Sequence, residues 1–278
     1  MRPALPRTAA LAAALVLTLA GCSGGGEDSP EAAPTSSATS TTATPAPTAT
    51  AVPRPEVGAC YALTYEEAVA PTTETPAGDC AQTHTAVTYG VGVLDTYVGG
   101  HLLAVDSAQV TASVAAACPS GLASYLGADE DALRLSVLRP VWYSPTLEQS
   151  DAGADWYRCD VIAVVADQTL GELPATMEGV LATDAGAAWG LCGTDRPGAE
   201  GFARVACAAD HTWRAVDVVD LGTTYPGAAE AEAAGSEPCQ SVAAGLAEDA
   251  LDYEWGYEWP TPEQWTAGQT YGICWAPA

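Results

Sequence analysis

The sequence predicts an α+β protein: two tandem small disulfide-stapled domains, each an antiparallel sheet with one main helix, after a signal peptide and a disordered linker. Three observations carry this. Eight of the nine cysteines form two sets of four, with gaps of 20, 38 and 41 residues in the first and 15, 32 and 35 in the second. Short motifs around those cysteines repeat in register. Each copy also alternates β-rich apolar runs with one Ala-rich segment, the pattern of a helix packed on a sheet.

Residues 1–21 read as a lipoprotein signal peptide. Arg2 and Arg7 make a positive start, Thr8 to Ala20 is an unbroken run of Ala, Leu, Val and Thr, and Leu19-Ala20-Gly21-Cys22 follows. The run is shorter than the roughly 20 apolar residues of a spanning helix. The tetrapeptide resembles the bacterial lipobox. That resemblance implies lipidation of Cys22, whose acyl chains would hold the chain to the membrane at about 0.8 kcal/mol per buried methylene. No later stretch is apolar enough to span a bilayer, so the body is expected on the extracytoplasmic face of the cell membrane.

Residues 22–56 are rich in Ser, Thr, Pro and Ala and open on Gly24-Gly25-Gly26. Such composition buries too little apolar surface to offset the entropy of ordering, so this is a disordered tether with polyproline II character.

Residues 57–166 and 189–278 are the two four-cysteine repeats, with 167–188 as connector. Cys80-Ala81-Gln82-Thr83-His84-Thr85 aligns with Cys207-Ala208-Ala209-Asp210-His211-Thr212. Pro145-Thr146-Leu147-Glu148-Gln149 aligns with Pro260-Thr261-Pro262-Glu263-Gln264, and the match runs without a gap to Cys159 and Cys274. In each unit a short strand surrounds the first cysteine, over 57–63 or 189–192. A longer strand follows the second, over 85–94 or 212–221. A helical segment surrounds the third, over 107–126 or 227–249, with Pro119 or Pro238 marking a helix start or a kink. Another strand covers 134–143 or 253–259, and a last strand carries the fourth cysteine.

Units of this size bury a marginal core, and exported domains commonly add disulfides. Four cysteines allow three pairings per unit. Keeping each bridge between sequence neighbours predicts Cys60–Cys80, Cys118–Cys159, Cys192–Cys207 and Cys239–Cys274.

The balance of charge excludes some partners. All nine basic residues are Arg, against 35 acids, and loss of the leader removes two of the nine. A chain this acidic lacks the cations that nucleic-acid binding needs, and repels anionic headgroups. The surface is suited to solubility.

At these residues the units resemble the septum formation family of exported actinobacterial-type proteins. Gly58-Ala59-Cys60, Val205-Ala206-Cys207, Cys118 with Tyr125-Leu126-Gly127, and the closing stretch from Pro260 through Trp265 and Gly268 to Cys274 fit its pattern. Thr83 and Asp210 stand where that pattern has Pro before His, and Val87 and Arg214 where it has Glu. The resemblance implies a link to division or envelope growth and no defined chemistry.

Candidate chemistry is sparse. His84 and His211 offer one imidazole per unit, as metal ligand, general base or plain backbone partner. One is too few for a zinc site, so no metal and no cofactor is expected. Glu263 and its counterpart Glu148 either serve acid–base chemistry or cap a turn after proline. Trp255 and Trp259 alternate with Tyr253 and Tyr257, and Trp265 follows. Such an alternation puts one aromatic face on a strand, buried or offered as a platform for sugar or protein. The chain therefore reads as a lipid-anchored envelope binding or scaffolding protein rather than an enzyme, with an envelope protein or the cell wall as partner. The alternatives are a cell-wall-directed hydrolase and a ligand-capturing lipoprotein using the aromatic face.

Overall fold

The computed structural model describes residues 52–278. The leader, Cys22 and the linker up to residue 51 lie outside the described residues.

In repeat 1 the elements are β1 (Cys60–Tyr61), α1 (Tyr65–Ala68), β2 (Ala86–Val93), the small hairpin β3 (Tyr97–Val98) and β4 (His101–Leu102), and α2 (Ala108–Leu126). They continue with α3 (Glu130–Arg134), β5 (Leu138–Tyr143), α4 (Leu147–Asp151), β6 (Trp156–Ala166) and β7 (Thr169–Leu170). Repeat 2 comprises β8 (Leu191–Gly193), β9 (Arg204–Ala206), β10 (Trp213–Asp220), α5 (Ala228–Ala234), α6 (Ser236–Leu246), β11 (Gly256–Glu258), α7 (Pro262–Thr266) and β12 (Tyr271–Pro277).

The duplication extends to topology. Sheet 1 runs β1-β2-β6-β5, and sheet 2 runs β8-β10-β12-β11 with β9 added beyond β8. All the pairings within these two sheets are antiparallel. Both central pairs carry a bulge at the same place: Tyr89 is skipped between Thr88 and Gly90, and Val216 between Ala215 and Asp217. A bulge bends its strand and increases the local twist, so it is a feature of the shared backbone design.

Four bridges staple the pair: Cys60–Cys80, Cys118–Cys159, Cys192–Cys207 and Cys239–Cys274. In each repeat the first joins the opening strand to the loop before the long strand. The second ties the main helix to the central strand, β6 or β12.

Several elements depart from the sequence expectation. The Ala-rich stretch of repeat 2 is two helices, broken at Gly235. A Cβ there would lie 2.3 Å from the Tyr257 ring, so only glycine fits at the break. Pro238 falls in the first turn of α6, where its missing N–H costs no helical bond, whereas Pro119 lies inside α2. The strand expected over 134–143 starts only at Leu138, because Asp129 caps α3 and Arg134 pairs with Glu130 and Asp131. The strand expected over 253–259 narrows to three residues. Trp189 closes a 3-10 turn, so the strand of the first cysteine begins at Leu191.

The repeats are joined through backbone and core. Val137 N–H donates to Trp189 O and Leu191 N–H to Leu135 O, each at 2.8 Å, around a bridge between Ser136 and Gly190. One apolar cluster runs through both, from Val87, Leu122 and Leu138 to Ala215, Ile273 and Trp275. The connector is packed as well. β7 folds back on β6, and Leu173 and Met177 are buried in that same cluster. Among the described residues no helix is long and apolar enough to cross a membrane.

Candidate functional site

In both repeats the turn after the second cysteine closes on its histidine. His84 Nδ1 lies 2.8 Å from Gln82 O, and His211 Nδ1 lies 2.8 Å from Ala209 O. The same ring-to-carbonyl contact two residues back explains why this histidine is duplicated. The second nitrogens differ. His84 is 4% exposed and its Nε2 lies 3.1 Å from Pro174 O of the connector. His211 is only half-buried, and its Nε2 has no partner among the described residues.

His211 opens onto a groove of about 620 Å³ lined by Leu135, Leu191, Arg214, Leu246 and Ala278, among others. The lining is mostly aliphatic, and Arg214 is its one cation. Gly190 lets the floor approach the Cys192–Cys207 bridge, since a Cβ would sit 3.0 Å from Cys207 Sγ. Cys192, Cys207 and His211 also bring three ligand-type atoms within 4.8 Å of one another. Both sulfurs are committed to the disulfide, which leaves imidazole as the only donor of the three.

The duplicated glutamates have a local explanation. Thr146 and Thr261 are N-caps of α4 and α7. Each accepts a bond from the backbone N–H of Gln149 or Gln264, whose side-chain oxygen accepts the Thr N–H in return. This is a capping box closed by Gln, with Glu148 and Glu263 in the first turn beside it. Glu263 is held below the usual carboxylate range by its own backbone amide and then by the Thr261 hydroxyl. It is also far from His211. Tyr271, just after α7, starts β12, while Trp213, just after His211, pairs with Pro277 at its other end. The intervening six steps span about 20 Å at ~3.3 Å each. The structure therefore does not bring His211 and Glu263 into one cleft.

The aromatic run forms no continuous exposed sheet face. Tyr257 lies over Gly235 and Gly272, where a Cβ would clash with its ring, and stacks on Trp259 at 5.8 Å. Trp265 makes an edge contact with Tyr225 at 5.4 Å. Trp255 is half-buried beside β11. These side chains act first as packing.

One polar cluster escaped the sequence reading. Arg158 and Asp160, both buried, pair at 2.9 Å, and Asp160 also accepts from the Thr88 hydroxyl at 2.7 Å. The Arg158 guanidinium lies between the Tyr61 and Tyr143 rings, 3.6 and 4.5 Å from their centroids. Burial pushes the Asp160 carboxyl up, against the pull of Arg158. The visible signal was charge at alternate positions of an apolar strand, since Arg158 and Asp160 face the same side of β6.

A family model described as septum formation matches the chain twice, over residues 29–159 and 143–274. The chain belongs to the septum formation family. Neither the curated proteins nor the solved structures give a match. In this septum formation protein the third residue after the turn histidine is Val87 in the core of repeat 1 and Arg214 in the groove of repeat 2.

Proposed function

We propose that the protein is a lipid-anchored binding or scaffolding protein of the cell envelope, acting in septum formation or envelope growth. The groove on repeat 2 carries this reading. It offers an aliphatic lining, one cation and a histidine with an open nitrogen, the make-up of a recognition site with a few placed polar groups. The cell-wall hydrolase reading has less support, because its two candidate residues sit at opposite ends of β12. Capture by the aromatic face has less support too, because Tyr257 is spent on packing. Lipidation at Cys22 supplies the attachment in this reading, and eight bridged cysteines suit an oxidising compartment.

Two measurements test it. Labelled fatty acid is expected in the wild-type chain and lost in Cys22→Ser. Cross-linked capture from envelope extracts, with the full chain as bait, is expected to enrich a partner that Leu246→Glu loses. Recovery of no partner, together with turnover of wall polymer by the purified chain, overturns the reading.

A further inference from the structure

The groove on repeat 2 occupies the place that the connector fills on repeat 1. The connector is anchored there at three residues. Gly171 N–H donates to Ala163 O at 2.9 Å, and Leu173 N–H donates to His84 O at 2.9 Å while Pro174 O meets His84 Nε2. Met177 N–H reaches the Tyr125 hydroxyl at 3.4 Å, and Gly179 N–H donates to Tyr125 O at 2.8 Å. Counting from the paired cysteines, Ala163 corresponds to Ala278, His84 to His211 and Tyr125 to Leu246. All three counterparts line the open groove. Leu246, the last residue of α6, is 62% exposed where Tyr125 is covered in part by the connector.

We infer that this groove binds an extended peptide segment of another polypeptide in the manner of residues 171–177, with an aliphatic residue and proline at its centre and an acid beside them. The inference rests on the binding reading above and names its partner class. The backbone supplies part of the recognition. An N–H of the occupant donates to His211 O, the carbonyl of its following residue meets His211 Nε2, and an aliphatic side chain covers Leu246 and Leu191. The acid follows from charge. Val87, beneath the connector, is replaced by Arg214 beneath the groove, so this slot adds a cation to a strongly acidic chain. Within repeat 1 the connector is tethered and binds at high effective concentration, so a free peptide binds more weakly than the same segment in the chain.

The test is an NMR titration of the full chain with the synthetic peptide Gly-Glu-Leu-Pro-Ala-Thr-Met, the sequence of residues 171–177. Saturable shifts centred on His211, Arg214 and Leu246 are expected below a few millimolar peptide. Leu246→Glu and Arg214→Ser, both on the groove wall, should each weaken binding at least fivefold. Replacing the peptide's Glu by Gln should weaken it severalfold at low salt and little at high salt. No saturation, shifts centred elsewhere, or equal affinity in Leu246→Glu overturns the peptide assignment. So does a second copy of this chain as occupant, which would appear as a concentration-dependent dimer disrupted by Leu246→Glu. If the peptide fails while envelope capture still depends on Leu246, the binding function survives and only the peptide class is lost.

Discussion

The two repeats share strand order, bulge position, bridge topology and the histidine turn, yet they fill their sheets with different chemistry. At equivalent positions of the central strands, Arg158, Asp160 and Thr88 of repeat 1 become Ile273, Trp275 and Ala215 of repeat 2. A buried ion pair sandwiched by two tyrosines has one partner, an apolar layer with Trp275 edge-on to Phe202 at 5.4 Å, on the other side of the duplication. Backbone order and bridges therefore define the unit, and the layer on one face of the sheet can be exchanged wholesale. Repeat 1 has also spent its connector on closing a slot that repeat 2 leaves open.

The largest effect is expected at that exchanged layer. Asp160→Ala leaves Arg158 buried without a counter-charge and should cost about 3–5 kcal/mol. Replacing both residues together, as Arg158→Met with Asp160→Leu, should cost far less or stabilise. Urea unfolding of single and double variants measures both. If the double variant is as damaged as the single, the layers are not interchangeable. Next come the long bridges. Removing Cys118–Cys159 or Cys239–Cys274 as paired alanines should cost about 3–4 kcal/mol each, with almost equal values because their loops of 41 and 35 residues differ little. A clear inequality in thermal unfolding would show that one repeat leans on its staple more than the other.

The histidines sharpen the contrast further. His84→Ala loses two backbone contacts, one of them to the connector, and should cost about 1–3 kcal/mol, while His211→Ala should cost about 0.5–1.5 kcal/mol. Hydrogen exchange should show faster opening near Leu173 in His84→Ala alone. The smallest effect is at the caps. The α1 box, which has no counterpart in repeat 2, closes with Glu67, whereas α4 and α7 close with Gln. The backbone amide of Thr64 and then its hydroxyl hold Glu67 below the ordinary 4.5. A lowered folded value means this contribution is present above 4.5 and is lost as pH falls through the folded value. The Thr64 amide signal should therefore move on acidification while that of Thr146, held by Gln149, stays, and Glu67→Gln should abolish the difference.

Cysteine spacing and the repeated motifs made the two-unit α+β design legible, because bridges and turns act over short sequence distances. The long strands after Cys80 and Cys207 were equally plain from their β-branched runs. What stayed hidden depends on tertiary neighbours. Nothing in the local sequence says that Tyr257 would pack on Gly235, or that 167–188 would pack into the core rather than merely connect. The groove was invisible for the same reason. His84 and His211 sit in the same turn after the second cysteine, and what the rest of the chain lays over them is not written in that turn. The role of Thr-x-Glu-Gln was half legible: capping was foreseen, but the ring closes through Gln rather than Glu.

The pairing of each cysteine with the next in the chain has a consequence for biogenesis. Counted over the eight bridged cysteines, a polypeptide that emerges amino end first presents the correct sulfur as the next one available, so oxidation in order of arrival from Cys60 onward gives the native set. No bridge has to wait for, or be undone by, a later one. Such a molecule can mature without a disulfide-shuffling catalyst, and repeat 1 can be covalently closed before the first half-cystine of repeat 2 appears.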